Sequence, residues 1–114
     1  MRLLFYILNN PELLDEVLEV FLEMGLKGAT VVDSVGMGRI LSQDVPIFAG
    51  LRLFLPSSTP GNKTILTLVH EDIVDELIKE IERACDASLD QPGTGIAFTI
   101  PVDKVYGLAT LDLE

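Results

Sequence analysis

Hydrophobic residues along this chain fall into two kinds of run, one short and continuous, the other spaced by threes and fours. Leu3 to Leu8 is unbroken apolar sequence, ended by Asn9-Asn10-Pro11. Its length suits a central strand covered on both faces. Leu14, Val17, Leu18 and Phe21 then recur at helical spacing and form one stripe. Asn10 is placed to cap that helix, and Pro11 suits a first turn that needs no N–H. Glu12, Asp15 and Glu16 lie near the positive end of the helix dipole. Gly25 stands where a left-handed C-cap belongs. Ala29 to Val35 is rich in β-branched residues and predicts a second strand. Gly36 and Gly38 flank Met37, a corner where the backbone can bend or approach a ligand closely, and Arg39 follows. Ile40 to Gly61 shows no clear helical period and reads as one long loop.

The pattern then repeats. Thr64 to Val69 predicts a strand, and His70-Glu71-Asp72 opens a helix with the stripe Ile73, Val74, Leu77, Ile78 and Ile81, ending near Ala84 or Cys85. Asp86 to Gly95 carries the turn residues Ser88, Asp90, Pro92, Gly93 and Gly95, and Ile96 to Pro101 is a last strand. The tail from Val102 to Leu113 adds a short edge strand or a turn of helix. At an offset of sixty, Leu8 matches Leu68, Leu14 matches Val74, Val17 matches Leu77 and Leu18 matches Ile78, while Asp15-Glu16 recurs as Asp75-Glu76. Two split βαβ units of this kind predict an α+β, ferredoxin-like βαββαβ fold, a single domain over residues 1–114. Its four-stranded antiparallel sheet would carry two helices on one face. Leu3, Phe5 and Ile7 alternate with Leu4, Tyr6 and Leu8, so the face without helices is apolar too. A monomer rarely exposes so large an apolar patch, and association through the sheet is the expectation.

Composition narrows the function. Eight basic against eighteen acidic residues leave a formal net charge of -10. That argues against a nucleic-acid partner, which needs a basic face, and against electrostatic docking on anionic lipid. A single cysteine, Cys85, excludes an internal disulfide and fits a reducing compartment. The apolar run at Leu3–Leu8 is shorter than a signal-peptide core, and no stretch approaches the roughly 20 apolar residues of a membrane span. A cytoplasmic protein without membrane insertion is expected.

Little in the residues is chemical. Gly36-x-Gly38-Arg39 is open to two readings, a ligand corner or a tight turn. Gly93-Thr94-Gly95 could cradle an anion on its backbone N–H groups, but no Lys or Arg lies within eight residues of it. Neither is a Walker loop or a full G-x-G-x-x-G. His70, the only histidine, has no ligand partners at metal-site spacing. Ser57-Ser58-Thr59 has no histidine nearby to form a nucleophile dyad. No catalytic residue, metal site or cofactor follows from the residues.

The order of motifs resembles the nitrogen regulatory PII family of signal proteins across nearly the whole chain. Gly25-x-x-Gly28-x-Thr30 followed by Gly36-x-Gly38-Arg39 is similar to the family's second-strand signature. Phe54-Leu55-Pro56, before Lys63 and an apolar strand, resembles the segment closing the family's T-loop. Asp72-Ile73-Val74-Asp75-Glu76-Leu77-Ile78 resembles the start of its second helix, and Gly93-Thr94-Gly95 falls where its B-loop ends. The resemblance implies a homotrimer that is not an enzyme and that binds ATP or ADP in clefts between subunits. It further implies that a T-loop, here Ile40–Gly61, contacts a transporter or an enzyme. The ligand-side residues it implies are Thr30, Gly36, Met37, Gly38, Arg39, Gly93, Thr94 and Gly95. The apolar tip Val45, Ile47 and Phe48 is the expected partner contact. Three cations that hold nucleotide phosphates in the family correspond here to Ile96, Gly107 and Ala109, and the glutamine after the arginine is Ile40. An adenine nucleotide is therefore a cofactor by resemblance alone. Two other functions of the same fold stay open: a CutA-like structural or metal-tolerance trimer, and an acylphosphatase-like hydrolase. The hydrolase needs an anion-binding arginine after the first strand, and Leu8-Asn9-Asn10-Pro11 has none.

Overall fold

A computed structural model of the chain describes residues 1–44 and 61–107. The elements run β1 (Arg2–Leu8), α1 (Leu14–Glu23), β2 (Thr30–Ser34), α2 (Met37–Asp44), β3 (Asn62–Val69), α3 (Val74–Cys85) and β4 (Gly95–Pro101). The strands form one antiparallel-paired sheet in the order β2-β3-β1-β4. This is the ferredoxin-like arrangement expected, with one addition, α2.

Side-chain parity decides which face of the sheet is core. Leu4, Tyr6 and Leu8 of β1 and Ile65, Thr67 and Val69 of β3 are buried. They meet Val17, Val20 and Phe21 of α1 and Leu77 and Ile81 of α3 in one cluster. Both long helices therefore lie on the same face. The one buried polar side chain among these, Thr67, donates from Oγ1 to the Gly28 carbonyl at 2.7 Å, which satisfies it.

The opposite face is apolar and, among the described residues, uncovered. Phe5 stacks on Phe98 with ring centroids 4.9 Å apart, as their direct cross-strand pairing allows. Ile96, Phe98 and Ile100 of β4 are all exposed.

Helices α1 and α3 each begin with a turn of 3-10 helix. The Asn10 side chain accepts from Glu12 N at 3.0 Å, as an N-cap should. His70 stands at the equivalent place and makes no side-chain cap bond. Helix α1 ends in a Schellman motif: Leu26 N donates to Phe21 O at 2.8 Å and Gly25 N to Leu22 O at 3.1 Å. Gly25 takes φ 85° there, which a side chain would resist.

Two sequence expectations need correction. Met37–Asp44 is a helix, not the start of a loop; Ile40 N donates to Gly36 O at 3.2 Å to begin it. Eight residues make barely two turns, too few to show a 3.6 period, and Gly38 inside the first turn lowers the propensity further. The equivalence of Leu8 with Leu68 also fails. Leu8 is buried, whereas Leu68, which pairs with the outward Leu3, belongs to the outer face. The offset of sixty holds for the helices, while the inward strand residues correspond at sixty-one.

Candidate functional site

Strands β1 and β2 finish, and β3 and β4 start, at the same end of the sheet, because Leu8 pairs with both Lys63 and Gly95, and Ser34 with Asn62. Both glycine-rich segments therefore lie at this end. Gly36, Met37, Gly38 and Arg39 leave edge strand β2, and Gly93, Thr94 and Gly95 enter the other edge strand, β4. Three strand spacings separate the two edges, roughly 14 Å. Thr30 is at the far end of β2, opposite Leu66, and exposed. The structure does not bring it to the same end. Val45, Ile47 and Phe48 lie outside the described residues.

The glycines differ in what requires them. Neither Gly36 nor Gly38 has positive φ, so the corner owes nothing to left-handed backbone. A Cβ on Gly36 would meet Asn62 Nδ2 at 3.7 Å, ordinary contact, and one on Gly38 would meet nothing within 4 Å. The fold does not require glycine at either position. Gly95 and Gly61 are different. A Cβ on Gly95 would lie 2.2 Å from the Ile7 carbonyl oxygen, and one on Gly61 2.5 Å from that of Ser34. Each starts a strand by passing close to the end of its neighbour, and only glycine fits. Gly93 has φ 87°, within a loop tied by Gln91 N to Ser88 O at 3.0 Å and Thr94 N to Gln91 O at 3.3 Å.

A polar strip crosses this end of the otherwise apolar outer face. Ser34 Oγ hydrogen-bonds the Asn62 side-chain oxygen and lies 2.7 Å from Thr64 Oγ1. Asn62 Nδ2 lies 3.5 Å from Asn9 Oδ1. Asn9 Nδ2 donates to the Gly93 carbonyl at 3.0 Å, and Asn9 N donates to Thr94 O at 3.2 Å. Sequence reasoning missed these residues. The signal was parity: the outward positions turn polar at the same end of three strands, after Ile7 at Asn9, after Val32 at Ser34, and before Leu66 at Thr64 and Asn62.

On the helix-facing side, Lys63 pairs with Asp33 across β3 and β2. Arg39, half-buried in the first turn of α2, is the other cation at this end among the described residues, and it too has an interaction partner. Titration is perturbed elsewhere, under the helices. Burial pushes the Tyr6 phenol up to about 12, helped by the nearby Cys85 and Glu82 charges. Burial, with Glu16 beside it, also pushes the Cys85 thiol up. A raised thiol is mostly protonated and unreactive at neutral pH. Among the described residues, no group of three or more His, Cys, Asp or Glu could hold a metal ion. No helix there is long and apolar enough to cross a membrane.

Residues 2–111 match the family described as Nitrogen regulatory protein P-II. A relative of that name from Azospirillum brasilense is 34% identical over 105 residues, covering 89% of this chain and 86% of its own length. The match runs through both halves of the sheet and both long helices, and the chain belongs to the nitrogen regulatory P-II family.

Proposed function

We propose that the protein is a non-enzymatic regulator in nitrogen control. It works as a homotrimer that senses a small effector in clefts between subunits and acts on a partner protein, a transporter or an enzyme. The observation that carries this reading is the exposed apolar outer face of the sheet. Phe98, Ile96 and Ile100 are 44%, 56% and 43% exposed beside the half-buried Leu3, Phe5 and Ile7, and other copies of the chain would cover them. The effector cleft takes Gly36–Arg39 and Gly93–Gly95, which share one end of the sheet but sit on opposite edges. One small molecule spans both more readily where subunits meet than across a single sheet. Ile96, at the place of the family's phosphate-binding lysine, makes ATP a weak ligand, because charge-assisted hydrogen bonds contribute more than neutral ones. Arg39 is the cation left to meet an anionic group. The partner is met by the segment 40–61, through Val45, Ile47 and Phe48.

Static light scattering tests the assembly. A mass of about three chains of 12.5 kDa, unchanged on dilution, is expected. A concentration-independent single-chain mass would overturn the reading, because the cleft would not exist.

A further inference from the structure

The polar strip is a relay whose direction is fixed by one atom. The Gly93 carbonyl can only accept, so Asn9 presents Nδ2 to it and turns Oδ1 toward Asn62. Asn62 therefore faces Asn9 with Nδ2 and Ser34 with Oδ1. The Ser34 hydroxyl has one proton and gives it to Asn62. Its contact with Thr64 Oγ1 is then donated by Thr64. The run from Thr64 through Ser34, Asn62 and Asn9 to the Gly93 carbonyl has one direction, each middle residue accepting from the one before and donating to the one after.

We propose that Asn62 and Asn9 are positioning residues that fix the Gly93–Gly95 turn relative to the Gly36 corner, so that a displacement of either is felt at the other. Three observations support this. Asn62 immediately follows Gly61, where any side chain would strike the Ser34 carbonyl, so the backbone that leads into the relay passes close against the end of β2. A Cβ on Gly36 would lie 3.7 Å from Asn62 Nδ2, so the corner passes beside the middle of the relay. Asn9 holds two consecutive carbonyls of the turn, one with its side chain and one with its backbone, so the far end is clamped. At 3.5 Å the Asn62–Asn9 contact is the longest step, and it is where the relay opens. The positioning of an effector by these residues rests on the function proposed above. The mechanical link between the two segments does not, and it is tested without any ligand.

The experiment is amide hydrogen exchange and ¹⁵N–¹H correlation spectroscopy on the ligand-free protein, comparing Asn62→Ala with Lys63→Met. Lys63 is the next residue, on the same strand, but its partner Asp33 is on the other face and leads nowhere near Gly93. Asn62→Ala is expected to shift the Gly93, Thr94 and Gly95 resonances and to speed Thr94 exchange roughly fivefold, the equivalent of one net hydrogen bond. Lys63→Met should leave that turn unchanged. Should Asn62→Ala fail to fold, Ser34→Ala breaks the same relay one step earlier and gives the same readout. Resonances at Gly93–Gly95 that stay in place in the relay variant, or that move equally in Lys63→Met, would overturn the proposal. In either case the light-scattering result still stands or falls by itself.

Discussion

The two strand–helix units are the same design with one residue between them. In the first, β1 ends at Leu8 and the 3-10 turn begins at Pro11; in the second, β3 ends at Val69 and the turn begins at Glu71. The first junction therefore has two residues, Asn9 and Asn10, and the second has only His70. That extra residue is why the helices correspond at an offset of sixty and the inward strand residues at sixty-one. A one-residue slip along a strand exchanges its faces, so the sequence match of Leu8 with Leu68 pairs an inward with an outward side chain. The added residue is Asn9, which reaches Gly93 and Asn62. Among the described residues, the unit without it makes no such reach. The longer junction thus carries a cross-strand contact, while both helices keep their corresponding places.

Core truncation should break the equivalence most strongly. Val17 and Leu77 are corresponding positions with no exposed surface. Leu77→Ala is expected to cost roughly 3 kcal/mol and Val17→Ala about 1 kcal/mol less, since one fewer methylene is lost. Urea unfolding at fixed chain concentration measures both. If Val17→Ala proved the costlier, the two helices would not be equivalent contributors to the core.

Tyr6 and Thr67 sharpen the comparison, because they are the corresponding inward positions at sixty-one and the only ones where one unit buries a phenol. The Tyr6 phenol titrates near 12 folded against about 10 unfolded. The folded state therefore holds the proton more tightly. Its contribution is fully present below pH 10 and is lost as pH rises from 10 to 12, amounting to about 2–3 kcal/mol. Unfolding free energy measured across that window should fall in the wild type and fall much less in Tyr6→Phe. Equal slopes would mean the phenol is not the group responsible.

What the sequence made legible follows the same contrast. Long helices with a full stripe, α1 and α3, were readable because their burial repeats over three turns. The sheet was readable from β-branched and apolar runs, and its bare outer face from the alternation of Leu3, Phe5 and Ile7. Helix α2 was not, since Met37, Ile40 and Leu41 give only one repeat and Gly36 and Gly38 suggested a turn. The convergence of Gly36–Arg39 and Gly93–Gly95 on one sheet end follows from the predicted topology. Their separation onto opposite edges needed the strand order, which periodicity does not contain. The relay through Asn9 needed register as well, because Asn62, 53 positions from Asn9, and Ser34, 28 positions from Asn62, become neighbours only once the strands are paired.

The smallest expected effects lie at the caps, where the two units solve one problem unequally. Asn10 supplies an acceptor for the orphan N–H of Glu12, and His70 at the matching place supplies none. Removing the first and adding to the second should move stability in opposite directions. Asn10→Ala is expected to lose about 1 kcal/mol, the usual cost of an N-cap. His70→Asn should gain up to about 1 kcal/mol, because His70 already has the extended backbone, φ -68° and ψ 138°, that an N-cap adopts. The exposed imidazole leaves no core contact to lose. Thermal melts of the two variants and of the double variant give the answer. Since the sites are on separate junctions, their effects should add, and the double variant should melt near the wild type. A His70→Asn protein no more stable than the wild type would mean that the second helix already satisfies its first turn by solvent, and that the missing cap is no defect.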